Sequence, residues 1–211
     1  MKVAESQMKD KVLKGLFWKI LENGGAQGIQ FVIAILLARL LTPAEYGLVG
    51  IIMIFITISN VVVQYGFSTA LVQKPRCDEK DFSSVCYFSL GIALVMYLLL
   101  YLAAPAIGKF YGNELLIPIV RILAVVLFPG AVISVQTAYV SRKMEFQGLF
   151  KATMGAVVVS GAISVWMAYS GMGVWAMVGQ QIAYYLALMA GLFLTVSWRP
   201  RLVFAMSRIR S

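Results

Sequence analysis

The chain has 211 residues, 61% of them hydrophobic and only 13% charged, with a mean hydropathy of +0.85. Ordinary soluble domains carry about 25% charged residues, so this composition excludes that class. The net charge of +9 includes no histidine at all, which excludes a histidine-based metal site or catalytic triad.

A bilayer core of about 30 Å needs roughly 20 mostly apolar residues per helix. Six windows qualify, near residues 18–41, 44–66, 85–108, 116–140, 152–169 and 174–196. They are continuously apolar rather than alternating, which predicts an all-α integral membrane bundle and excludes a barrel. The connections are short, so residues 1–211 read as one transmembrane bundle, with 197–211 as a cytoplasmic tail or a link to a further segment.

The first window follows a basic stretch and opens with ENGGAQGIQF. It is too long for a signal peptide and has no small-residue cleavage site, so it is expected to stay as an anchor. At about 100° per residue, Asn23, Gln27 and Gln30 share a face with Ala34, and Glu22 lies beside them. Such a stripe must face protein or water. It either forms interhelical hydrogen bonds or lines a polar cavity open to the cytoplasm. Glu22 is the one acidic residue placed inside a span, which makes it the candidate for ion coupling. Gly24 and Gly28 form a GxxxG pattern, common by chance.

Thr42, Pro43, Ala44 and Glu45 make a capping box that starts the second helix. That helix carries Thr57, Asn60 and Gln64 at helical spacing. Residues 68–84, STALVQKPRCDEKDFSS, are too polar to span; they are expected along the membrane surface as a short amphipathic piece or as a solvated loop. In the third window Tyr97 and Tyr101 lie one turn apart, placed either to pack or to stack on sugar rings.

The fourth window contains Arg121, which either snorkels to the outer surface or is a fixed cation in the cavity suited to phosphate or pyrophosphate. Pro105 and Pro118 fall near helix ends, whereas Pro129 lies mid-span before Gly130 and predicts a kink or local unwinding. Ser134, Gln136 and Thr137 follow. Ala156, Ser160, Ser164 and Ala168 in the fifth helix, and Gly179, Ala183, Ala187 and Gly191 in the sixth, form small-residue stripes that permit close packing. Residues 170–173, Ser-Gly-Met-Gly, make the tight turn between them. The sixth helix adds Gln180, Gln181, Tyr184 and Tyr185. Polar groups thus recur on four of the six helices, a pattern favouring a hydrated path.

Fifteen of the 18 Lys and Arg residues fall on one side, in the N-terminal tail, the second and fourth connections and the C-terminal tail. The positive-inside rule therefore places both termini in the cytoplasm and accounts for the charge without nucleic acid. Trp18, Tyr65, Tyr87, Tyr139 and Trp198 at one boundary, and Tyr46, Tyr111, Tyr169 and Trp175 at the other, agree as interfacial belts. Cys77 and Cys86 fall on or near the cytoplasmic side, where no disulfide is expected.

The stretches LLARLLTPAEYGLVGI, YGFSTALVQ, APAIGKFYGNELLIPIVRILA and VSRKMEFQGLFKA, in this order, resemble the polysaccharide biosynthesis membrane proteins. These are the O-antigen and teichoic acid exporters of the multidrug, oligosaccharidyl-lipid and polysaccharide exporter superfamily. The resemblance implies a flippase of the bacterial inner membrane that moves an undecaprenyl-diphosphate-linked oligosaccharide by alternating access, with neither cofactor nor enzymatic step. It further implies one lobe of a two-lobe protein. Partners would be the lipid-linked oligosaccharide, membrane lipids, a second lobe or second copy, and the polymerase machinery. The implied substrate cavity would draw on Arg121, Asn23, Gln27, Gln30, Asn60, Gln64, Gln180, Gln181 and Tyr184, and coupling on Glu22. Two rivals stay open: a multidrug or ion-coupled exporter of the same superfamily, and a non-transporting scaffold or truncated half of the assembly machinery.

Overall fold

The computed structural model describes the backbone of residues 2–73, 79–143 and 146–196, and the side chains of 15–63, 82–143 and 146–196. The side chains of Gln64 and Tyr65, the whole of Cys77 and the 197–211 tail with Trp198 lie outside the described residues.

Among the described residues seven helices follow one another: α1 Lys2–Leu40, α2 Pro43–Gln73, α3 Glu79–Phe110, α4 Leu116–Leu123, α5 Leu127–Lys143, α6 Phe146–Tyr169 and α7 Val174–Thr195. A 3-10 turn at Ala124–Val126 joins α4 to α5, so these two form one span, Leu116–Lys143. Six segments among the described residues are long and apolar enough to cross a bilayer, as the sequence predicts.

The helices outrun the hydropathy windows. Helix α1 is already helical from Lys2 and α6 begins at Phe146 rather than near Ala152. Most of residues 68–84 belong to helix ends rather than to a separate surface piece, because α2 continues to Gln73 and α3 starts at Glu79. Hydropathy marks where lipid begins; backbone hydrogen bonding continues wherever the residues are fair helix formers. Similarly Pro105 lies within α3, five residues before its end at Phe110.

The predicted unwinding near Pro129 takes the form of the 3-10 turn just before it. Proline has no N–H to give the carbonyl four residues earlier, here Val125, and tightening the preceding turn to i→i+3 bonds relieves the mismatch.

Packing centres on α5. It lies against α2, α3 and α7, while α6 packs along α7 and α1 packs along α6. The small stripes explain the closeness of α6 and α7: Ala156, Ser160, Ser164 and Ala168 are all buried, and a Cβ on Gly191 would come within 3.0 Å of the Ala152 Cβ. At the α1–α6 crossing the Ile33 side chain occupies the space a Cβ on Gly161 would need. Gly24 and Gly28, by contrast, have nothing within 4 Å of such a Cβ.

Candidate functional site: a polar cleft between three helices

Although α1 and α2 are joined by only two residues, α1 packs mainly on α6, and α2 packs mainly on α3, α5 and α7. A cleft between α1, α2 and α7 follows from this arrangement. Its end at the α1–α2 turn is tied shut. Glu45 accepts from the Thr42 backbone N–H at 2.7 Å and from the Thr42 hydroxyl at 2.9 Å, which is the predicted capping box. The same carboxylate lies against the turn that leads into α7. Gly173 makes this possible: its φ of 54° suits glycine, and Glu45 Oε1 sits where a Cβ would be. Nearby, the Tyr46 hydroxyl donates to the Ala34 carbonyl at 3.1 Å, which ties the start of α2 to α1.

Of the predicted cavity residues, Asn60 and Gln181 line a common cavity between α2 and α7. From α1, Asn23 and Gln27 are exposed and Gln30 is half-buried. From α2, Asn60 is half-buried and gives its amide N–H to the Tyr185 hydroxyl of α7 at 3.2 Å. Gln180, Gln181 and Tyr184 of α7 are likewise half-buried. Tyr184 packs against the cluster that holds Ala26, Ile33 and Leu37 of α1.

At its α2–α7 wall lies a cavity of about 80 Å³ lined by Met53, Thr57, Asn60, Gln181 and Tyr185, together with Leu123 and Val126 at the break between α4 and α5. Such a volume admits water, and the lining supplies the several polar partners a buried water requires. Gln181 donates to the Met53 sulfur at 3.4 Å, and a thioether is a weak acceptor. The wall is uncharged. It can exchange hydrogen bonds with water or with neutral hydroxyls, but it offers an anion no counter-charge.

Glu22 occupies a different position from its stripe. It is only 6% exposed and turned into the α1–α6 interface, where it accepts from the Thr153 hydroxyl of α6 at 3.2 Å and from Lys19 Nζ at 2.8 Å. Thr153 is a partner that helical spacing does not reveal, since it lies 131 residues away. Gln136 is another surprise: it is fully buried, and neither amide atom has a partner.

Arg121 is not brought together with the other candidates. Its guanidinium lies over the Tyr101 ring of α3, 4.2 Å from the centroid. Leu123, two residues on, faces the cavity, so Arg121 lies about 200° further round the helix. Tyr97 contacts both Tyr101, at 5.9 Å between centroids, and Phe128, at 5.6 Å, which is packing.

Fold and cleft together define a multi-pass, all-α membrane protein with a polar recess between spanning helices. The particular family is shown by comparison: the chain belongs to the polysaccharide biosynthesis protein family, whose profile matches residues 36–211. It is 27% identical to the succinoglycan biosynthesis transport protein ExoT of Rhizobium meliloti (strain 1021), over 94% of this chain and 40% of that one. With the teichuronic acid biosynthesis protein TuaB of Bacillus subtilis (strain 168) the identity is 30%, over 71% of this chain and 31% of that one. The lipopolysaccharide biosynthesis protein WzxC of Escherichia coli (strain K12) is 20% identical over 96% of this chain and 42% of its own length. The chain thus spans less than half the length of these relatives. No solved structure matches it.

Proposed function

We propose that this bundle is one lobe of a flippase that carries an undecaprenyl-diphosphate-linked oligosaccharide from the cytoplasmic to the periplasmic leaflet of a bacterial inner membrane. The observation that carries the reading is the cavity between α2 and α7, where Thr57, Asn60, Gln181 and Tyr185 gather uncharged hydrogen-bonding groups inside a spanning bundle. A sugar headgroup loses its water in hydrocarbon, at a cost of several kcal/mol for each unpaired hydroxyl, and amides and hydroxyls can replace that water. The lipid tail stays in the bilayer. No bond of the substrate is made or broken, so the protein works as a transporter rather than as an enzyme.

The distribution of basic residues supports cytoplasmic termini, and with that orientation the space beside α2, closed at the opposite end by Glu45, opens inward. A second lobe or second copy would complete the cavity, consistent with a chain that spans 40% and 42% of two relatives named for transport and lipopolysaccharide biosynthesis. The coupling group in this reading is Glu22, a choice supported by its burial beside a half-exposed lysine.

A strain lacking the gene tests this. Lipid-linked repeat units should accumulate on the cytoplasmic leaflet, and the wild-type gene should clear them, whereas a double variant Asn60→Leu, Gln181→Leu expressed at the same level should not. No accumulation in the deletion strain would refute the flippase reading; clearance by the variant would refute the role of the cleft.

A further inference from the structure

We propose that Arg121 and Tyr101 form a binding site for the phosphate group of an anionic lipid on the membrane-facing surface of α3 and α4, outside the cleft. Arg121 is half-buried; its Nε has no hydrogen-bond acceptor, and its one described partner is the Tyr101 ring at 4.2 Å. A guanidinium within a spanning segment, held on an aromatic face and without a carboxylate, is a fixed cation short of an anion.

The surroundings say where that anion comes from. Leu94, Val95, Leu98, Leu99 and Leu102 of α3 are exposed, and an apolar surface of this kind faces acyl chains. Arg121 also points away from the cavity that Leu123 lines, so the ligand arrives from the lipid side. Side chains on a helix lean toward its N-terminus, which carries Arg121 up α4 toward Leu116, only a few residues from the exposed Lys109 at the end of α3. Pro105 adds a further polar feature, because it has no N–H for the Tyr101 carbonyl one turn below. A lipid phosphate at this height would accept from the guanidinium while its chains cover the leucines of α3.

Native mass spectrometry of the purified chain in detergent supplies the test, with phosphatidylglycerol as probe, phosphatidylcholine as the neutral control and inorganic pyrophosphate as the water-borne competitor. Wild type should retain one phosphatidylglycerol in preference to phosphatidylcholine, and Arg121→Gln should weaken that retention about tenfold. Tyr101→Leu keeps the charge but removes the ring and should weaken it about two- to fivefold. Melting curves matching wild type would establish that both variants fold, and a third variant, Arg121→Lys, covers the case where Arg121→Gln does not: it should keep the lipid but bind it less tightly. Retention unchanged in Tyr101→Leu and Arg121→Lys, or displacement of the lipid by millimolar pyrophosphate, would overturn the proposal. The readout does not depend on transport, so it stands or falls separately from the flippase reading.

Discussion

The Thr153 hydroxyl of α6 donates to the Glu22 carboxylate of α1 at 3.2 Å, joining the first helix to the fifth span across 131 residues of sequence. Hydrogen bonds to charged groups contribute about 1.5–3 kcal/mol, and bonds between membrane helices average nearer 0.6. Thr153→Val should therefore lower stability by about 1 kcal/mol, and Glu22→Ala by more because Lys19 also loses its partner. Thermal unfolding in detergent measures both, and equal melting temperatures for wild type and Glu22→Ala would refute the assigned interaction.

Gly161 is expected to control the distance between α1 and α6. The Ile33 side chain fills the space above it, so Gly161→Leu should overpack the crossing and cost about 1–3 kcal/mol. The double variant Gly161→Ala, Ile33→Ala should recover much of that loss. A Gly161→Leu protein as stable as wild type would mean that the two helices do not meet here.

Glu45 caps its own helix start at Thr42 and sits against Gly173, just before α7. Glu45→Ala should cost about 1 kcal/mol for the lost cap and should also loosen the closed end of the cleft. Gly173→Ala should be harmful for a separate reason, since φ is +54° there. A thiol introduced by Ala44→Cys should react faster in the Glu45→Ala background; an unchanged rate would argue against the tie.

Asn60 and Tyr185 close the cavity wall between α2 and α7 at 3.2 Å. A double-mutant cycle of Asn60→Leu and Tyr185→Phe should give a coupling of about 0.6 kcal/mol. Zero coupling would place the two groups apart.

Much of this architecture is legible in the sequence, for reasons particular to membranes. Hydrocarbon forces each span to be long and apolar, so six windows locate six spans, and Thr42 with Glu45 announces its own helix start. The stripe of Asn23, Gln27 and Gln30 is also readable, because helical geometry fixes which residues share a face. What is not readable is what each face meets. Arg121 shows this: its depth follows from position in the window, but its direction depends on how α4 lies against α3. Spacing alone groups Glu22 with its polar neighbours, and only the packing of α1 on α6 turns it toward Thr153. Backbone hydrogen bonding past the bilayer, as in α1 from Lys2, leaves no hydropathy signal at all.

The most direct measurement of the central claim is the aqueous reactivity of single cysteines placed on the bundle in native membranes, with Cys77 and Cys86 replaced by serine. Gln27→Cys and Thr57→Cys, both exposed and on the cleft helices, should react with a membrane-impermeant thiol reagent applied from the cytoplasmic side. Leu98→Cys, exposed on α3, should stay unreactive in lipid. If Gln27→Cys and Thr57→Cys are as protected as Leu98→Cys, the space between α1, α2 and α7 is not a hydrated cleft and the account fails.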